Sequence, residues 1–193
     1  MKNALLALCL ASLPIAASAK PENYKIDTSS SKATWEGSKL VGKHDGELKV
    51  KGGELLVEKG AIVGGNVDID MDSLTNKDLT DPDSNSKLVT HLKSPDFFSV
   101  KDHPVSSLKI TKVEKKDGKT MVTGDLTIKG ISKPVTFPVD VKSDKKGVKA
   151  KGEMTVDRTL YDIKFRSLKF FSDIGDKVIN DTFKVGFDVA ASK

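Results

Sequence analysis

Hydrophobic and polar residues alternate along most of the chain. In the run GNVDIDMD the apolar residues alternate with aspartates, and in DTFKVGFDVA they alternate with lysine, glycine and aspartate. A period of two is typical of an antiparallel strand with one face in a core and the other in water. About ten such runs, separated by turn signals such as Gly52-Gly53, Lys59-Gly60 and Gly130, predict an all-β sandwich or barrel.

One stretch carries a helical pattern instead. Residues 82–93, PDSNSKLVTHLK, place three apolar side chains at helical spacing. They predict a short helix near residues 84–93, with Asp83 or Ser84 as the N-cap and Pro95 beyond the end.

Two further stretches depart from plain alternation. Residues 159–177 keep no regular period and predict a long loop. The glycines of GAIVGGN lie within a strand pattern, which predicts a bulge or a close approach of two backbones.

The N-terminal segment has the pattern of a secretory signal peptide. Lys2 precedes the apolar residues 5–13, and small residues lead to a predicted cleavage after Ala19. Cys9 lies inside the apolar run and is not placed for lipidation. Without residues 1–19 the chain has no cysteine, which excludes disulfides, a thiolate nucleophile and cysteine-based metal sites.

Charge is spread along the whole chain. The net charge is +5, and of the 32 basic residues only Arg158 and Arg166 are arginines. Because lysines are interleaved with acidic residues, the pattern argues against a nucleic-acid partner, which favours clustered arginine. The basic excess is consistent with transient contact with an anionic membrane surface. The oligomeric state is left open.

The candidate chemistry is sparse. His44, His91 and His103 lack the spacing of a metal site, and two aspartate-rich stretches lack the glycine and glutamate of a calcium loop. No nucleophile elbow or phosphate-binding glycine loop is present. We therefore predict no metal, no cofactor and no enzyme activity, and expect His91 and His103 to make local hydrogen bonds. A binding module is favoured, although small aliphatic side chains suit a ligand tunnel and a filled core equally.

Several motifs, taken in order, resemble the YceI-like family of lipid-binding proteins. They cover nearly all of the chain after residue 19 and comprise YKIDTSSSKATWEGSKLVGKHDGEL, DIDMDSL, KLVTHLKSPDFFSVKDHP, GDLTIKGISKPVTFPV, VDRTLYDIKF and INDTFKVGFDVAA. The chain has SNSK where many members carry an arginine before His-Leu-Lys-Ser.

The resemblance implies a single antiparallel eight-stranded lipocalin-like β-barrel over residues 20–193, located in the periplasm and without catalytic activity. It also implies an apolar tunnel for an isoprenoid lipid, either a polyprenyl phosphate or pyrophosphate or an isoprenoid quinone. The alternative is a periplasmic structural or stress-related interaction protein, whose barrel is packed and holds no ligand.

Two sets of residues form the predicted lipid site. The first set is apolar and faces inward in the alternation, so it is predicted to line the tunnel: Val67, Ile69, Leu126, Ile128, Phe137, Val139, Met154, Phe183 and Phe187. The second set is predicted to form the mouth or lid, where Arg158 or lysines would meet the head group: Leu88, His91, Leu92, Phe97, Phe98 and Arg158.

Overall fold

The computed structural model describes residues 20–193, and within them nine β-strands and one α-helix follow one another. The predicted signal peptide, residues 1–19, lies outside the described residues. The elements are β1 (Glu22–Ile26), β2 (Lys32–Lys39), β3 (Lys43–Glu58), β4 (Ala61–Asp70), α1 (Pro82–Lys93), β5 (Val105–Lys116), β6 (Lys119–Ile128), β7 (Ile131–Ser143), β8 (Val148–Asp157) and β9 (Ile179–Ser192).

The strands form one closed antiparallel barrel. The order around the barrel is β3-β2-β9-β8-β7-β6-β5-β4, and β4 pairs back with β3. Strand β1, like β2, lies between β3 and β9, because Tyr24 pairs with Leu55 of β3 and Ile26 pairs with Ala191 of β9. Strands β1 and β2 thus share one position in the wall, which confirms the eight-stranded barrel.

The glycines in β3 and β4 mark bulges rather than a turn. The predicted turn at Gly52-Gly53 is wrong, because both residues lie inside β3, where the register with β4 shifts after Val50. Gly53 has φ +130°, and a Cβ on it would lie 2.2 Å from the Asn66 carbonyl oxygen. Only glycine fits such a position. Gly65 on β4 has φ +132° and also lies against the β3 backbone, which confirms the predicted close approach.

The connections at the two ends of the barrel differ in length. Short turns join β3 to β4, β5 to β6 and β7 to β8 at one end. In the described chain the two long connections, residues 71–104 and 158–178, both cross the other end, which we call the mouth end. The second connection is irregular apart from 3-10 turns at Arg158–Tyr161 and Gly175–Lys177, which confirms the predicted loop.

Helix α1 begins two residues earlier than predicted. Its N-cap is Asp81, whose carboxylate accepts the Ser84 N–H at 2.8 Å, so the prediction of Asp83 or Ser84 as the cap is wrong. Pro82 takes the first helical position, where its fixed φ suits the helix and its missing N–H leaves no donor unpaired. No helix within residues 20–193 combines the length and apolar character that a membrane span requires.

Two hydrophobic clusters occupy the interior of the described barrel. The first includes Leu55, Val57 and Val148 and lies toward the end with the short turns. The second lies toward the mouth end, where Leu92 of α1 packs with Ile163 of the 158–178 connection. Helix and connection are therefore held over the mouth by the apolar side chains that they bury.

Candidate ligand-binding cavity

A cavity of about 590 Å³ lies inside the barrel. Strands β2 to β9 all contribute apolar side chains to its wall. The volume falls within the range of small-molecule sites, about 300–1,000 Å³. At about 30 Å³ per water molecule it exceeds the space of a few trapped waters many times over. The barrel interior is therefore not filled by its own side chains.

The predicted lining residues all lie on the wall of this cavity. They sit on five strands, at the inward positions of the alternation, and are Val67, Ile69, Leu126, Ile128, Phe137, Val139, Met154, Phe183 and Phe187. Their contact with a lipid stays a prediction.

Two phenylalanine rings from β7 and β9 meet over the intervening strand inside the cavity. The rings of Phe137 on β7 and Phe187 on β9 meet edge to face, with their centroids 5.5 Å apart. Gly152 on the intervening strand β8 leaves room for this contact, because a Cβ there would lie 2.7 Å from Phe187 Cζ. The absence of one side chain thus lets two large ones meet.

Helix α1 and the turn after it supply the predicted lid residues. Leu88, His91, Leu92, Phe97 and Phe98 all lie on the cavity wall. The four apolar residues belong to the second hydrophobic cluster, and the His91 ring contacts the Phe97 ring of that cluster. The geometry puts them at the mouth end, and a lid function stays a prediction.

The histidines are each held locally. His91 Nε2 lies 3.0 Å from Asp96 Oδ2, and the ring stands edge-on to Phe97 and Phe165, with centroid distances of 5.0 and 4.8 Å. The predicted local hydrogen bond of His91 is therefore confirmed. The His103 main-chain N–H donates to the Ser99 carbonyl oxygen at 2.9 Å.

His44 also faces a carboxylate. Its Nδ1 lies 2.8 Å from Asp78 Oδ2, and the Asp45 N–H donates to Asp78 Oδ1 at 3.0 Å. Burial alone would raise the pKa of Asp78, but hydrogen bonds from the Asp45 N–H, His44 and Asn76 outweigh it and lower the pKa to about 2. The pair ties the start of β3 to the 71–104 connection. Among residues 20–193, no three His, Cys, Asp or Glu side chains are grouped as a metal site would require.

Arg158 has a structural position that differs from the predicted role. Its side chain borders the cavity but is only 4% exposed. Nε, Nη1 and Nη2 donate to the carbonyl oxygens of Asn180 (2.9 Å), Ile163 (2.8 Å) and Ile179 (2.9 Å). Burial lowers the pKa of Arg158, and the nearby Asp181 opposes this effect. Three main-chain carbonyls thus hold the guanidinium in a structural position, and its contact with a head group stays a prediction.

The mouth carries other cations that the sequence patterns did not single out. Four exposed cations border the cavity: Lys39, Lys43, Arg166 and Lys177. Lys43 is paired with Glu36 at 2.7 Å. In the part of the chain that the structure describes, Lys39, Arg166 and Lys177 have no carboxylate oxygen within 4.0 Å of their side-chain nitrogens. The mouth thus offers three unpaired positive charges and the carboxylate of Asp176 beside an apolar interior.

The sequence patterns missed Lys39, Arg166 and Lys177 for different reasons. Lys39 flanks the LVG tip of the β2–β3 hairpin, and a lysine beside two apolar residues at a turn was a usable sign. Arg166 and Lys177 lie in the connection without a period, so no pattern could place them. Register pairs Lys39 with Ile179, whose N–H donates to the Arg166 carbonyl oxygen at 3.0 Å, and so brings the three together.

Two UPF0312 proteins share sequence with this chain. A UPF0312 protein of Vibrio parahaemolyticus is 32% identical over 151 residues, covering 72% of this chain and 74% of that one. A UPF0312 protein of Photorhabdus laumondii is 32% identical over 95 residues, so the chain matches about half the length (45%) of that relative.

Solved structures share the architecture at low sequence identity. Burkholderia cenocepacia BcnA superposes with a TM-score of 0.69 at 20% identity, covering 86% of this chain and 99% of that one. A polyisoprenoid binding domain from Saccharophagus degradans gives a TM-score of 0.61 at 13% identity, covering 88% and 97%. The family model described as a YceI-like domain matches residues 24–191. The resemblance of the motifs is thereby confirmed, and the chain belongs to the family of YceI-like domain proteins.

Proposed function

We propose that this protein is a non-catalytic periplasmic binding protein, which holds an isoprenoid lipid with its tail in the barrel and its head group at the mouth. The observation that carries the proposal is the apolar cavity of about 590 Å³, whose border at the mouth end includes exposed polar residues. The periplasmic location rests on the predicted signal peptide in residues 1–19.

The tail suits the interior chemically. A polyprenyl chain offers methyl and methylene groups and no hydrogen-bonding atoms, and the deeper wall presents aliphatic and aromatic side chains such as Val139, Met154 and Phe187. Each Å² of apolar surface that leaves water contributes about 25 cal/mol. Affinity for the tail then depends on cavity depth and needs no specific polar contact.

The head group suits the mouth if it is anionic. Lys39, Arg166 and Lys177 are unpaired and border the cavity, so a phosphate there would gain charge-assisted hydrogen bonds. An uncharged quinone ring would gain far less from these residues. We therefore favour a polyprenyl phosphate or pyrophosphate as the ligand.

Two further observations support this proposal. The Saccharophagus degradans domain with the same fold is described as polyisoprenoid binding. The alternative, a packed barrel that serves only as an interaction protein, is disfavoured because a packed core leaves few voids larger than a water molecule, whereas this interior has about 590 Å³.

Uptake of a polyprenyl phosphate from mixed detergent micelles tests the tail site. Met154→Trp places a large ring in the cavity, and we expect it to weaken uptake by at least about tenfold, equivalent to about 1.4 kcal/mol. Val63→Trp is the matched control, because Val63 is 39% exposed. Equal uptake by the wild type and a folded Met154→Trp variant would exclude a ligand at that position.

The head-group site has a separate test. Lys39→Glu combined with Arg166→Glu should weaken binding of a polyprenyl phosphate by about tenfold or more and leave binding of the matching polyprenol unchanged. Lys149→Glu combined with Lys151→Glu, two exposed changes on β8, is the charge-matched control. Equal losses for the phosphate and the alcohol would show that these cations do not recognise the head group.

A further inference from the structure

Exposed apolar side chains are concentrated at one end of the barrel. In residues 20–193 seven large hydrophobic residues are exposed, and six of them lie in the two segments bordering the mouth: Leu40, Val41, Leu160, Leu168, Phe170 and Phe171. The seventh, Val63, lies on β4. Single exposed hydrophobic residues are ordinary on a protein surface, whereas a cluster marks an interaction site.

Strand register joins the two segments, because Lys39 pairs with Ile179, whose N–H donates to the Arg166 carbonyl oxygen. Hydrogen bonds within the second segment then fix its turns. The N–H groups of Phe170 and Phe171 both donate to the carbonyl oxygen of Ser167 (3.1 and 3.0 Å), and Ser167 is fully buried. Lys169 Nζ donates to Asp157 Oδ2 at 2.8 Å and Thr159 Oγ1 at 3.1 Å. The turn with the phenylalanines is thus fastened to the turn that carries Leu160.

Positive charge is concentrated in the same segments. Residues 38–43 and 158–171 contain five exposed basic residues and one acidic residue, an excess of four. The whole chain has a net charge of only +5, so these two segments account for most of it. Lys164 Nζ lies 5.3 Å from the Phe170 ring centroid, so charged and aromatic groups share one surface.

We propose that this mouth surface, residues 38–43 and 158–171, docks onto an anionic phospholipid bilayer. Apolar side chains among basic ones bind membranes in two ways: the apolar groups enter the head-group region, and the cations are attracted to anionic lipids. The inference rests on the proposed lipid-binding function and extends it. A docked mouth would face the bilayer, and a lipid could pass between membrane and cavity without its tail crossing water.

Flotation with lipid vesicles tests the docking surface. The wild-type protein should bind vesicles that contain phosphatidylglycerol more tightly than vesicles of phosphatidylcholine alone, and high salt should weaken that binding. Leu40→Asp with Val41→Asp, and separately Phe170→Ser with Phe171→Ser, should each weaken binding by about tenfold or more. Val63→Asp, which changes the exposed apolar residue outside the mouth, should bind like the wild type.

A second measurement separates docking from ligand binding. Uptake of a polyprenyl phosphate from detergent micelles involves no bilayer, so both patch variants should retain it. Loss of vesicle binding with intact micelle uptake upholds the docking surface. If the wild type does not bind anionic vesicles, or if both variants bind them like the wild type, the inference is overturned even when uptake is normal.

The patch could instead join two copies of the chain, and light scattering tests this. If the variants turn a dimer into a monomer without weakening vesicle binding, the docking inference is overturned. The two variants lie on separate segments, so a folding defect in one, detected by circular dichroism, leaves the other as a valid test.

Discussion

Arg158 provides the sharpest test of how the mouth is held together. Its guanidinium joins the start of the 158–178 connection to the carbonyls of Ile163, Ile179 and Asn180. Replacing it by methionine keeps much of the apolar stem and removes all three hydrogen bonds. The buried Ile163 carbonyl oxygen and the two part-buried ones then lose these donors. Asp181, whose Oδ1 lies 3.6 Å from Arg158 Nη2, keeps only Lys169 at 3.7 Å.

The magnitude follows from these contacts. Each hydrogen bond to a charged group contributes about 1.5–3 kcal/mol, but the cost of burying the guanidinium offsets part of that sum. Breaking a buried charged cluster by removing one member costs about 3–5 kcal/mol. For a domain of this size, 1 kcal/mol shifts the melting midpoint by about 2–4 °C. Arg158→Met should therefore lower the midpoint by roughly 6–20 °C.

Urea unfolding and calorimetry measure this effect. Lys164→Met is the matched control: it removes a cation from the same connection, but its side chain is 49% exposed, so little change is expected. Arg158→Lys should show most of the loss, because one ammonium cannot reach three divergent carbonyls. A loss below about 1 kcal/mol for Arg158→Met would refute the assigned role of the guanidinium.

Three further outcomes are expected. Gly53→Ala should lower the free energy of unfolding by about 1–3 kcal/mol in a urea assay, because the Gly53 φ is +130° and an added Cβ would meet a carbonyl oxygen. Gly52→Ala, with open space around the added Cβ, should be nearly neutral in the same assay. Asp78 has a pKa of about 2 against an ordinary 3.8. Its contribution to stability should therefore be complete above about pH 4 and be lost toward about pH 2; Asp78→Asn should flatten that part of the urea-midpoint profile, and an unchanged slope would contradict it. Trp35, the only tryptophan, borders the cavity, so uptake of a polyprenyl phosphate should shift its emission to the blue, and a constant spectrum at saturation would place the ligand elsewhere.

The barrel was predictable because its wall repeats one simple rule. Each strand has one face toward the cavity and one toward water, so inward positions such as Val67 and Phe183 can be read from the alternation alone. The number of strands was harder to predict. Gly52-Gly53 looks like a turn in the sequence, but Gly53 takes its positive φ within a continuous strand.

The mouth was less predictable because tertiary contacts build it. Arg166 and Lys177 lie in a segment without a period, and they reach the cavity only because strand register brings Ile179 beside Lys39. Arg158 carries the charge expected of a head-group ligand, yet main-chain carbonyls from a distant strand bind it. Local pattern cannot show which carbonyls a folded chain will bring to a guanidinium.

The proposed function requires an isoprenoid lipid in the cavity. The direct measurement is organic extraction of the protein, purified without detergent from the cells that produce it, followed by mass spectrometry of the extract. The extract should contain a polyprenyl phosphate or pyrophosphate in near-stoichiometric amount, which should be missing from Met154→Trp and present in Val63→Trp. An extract without isoprenoid, from protein that also takes up none from micelles, would contradict the proposed function.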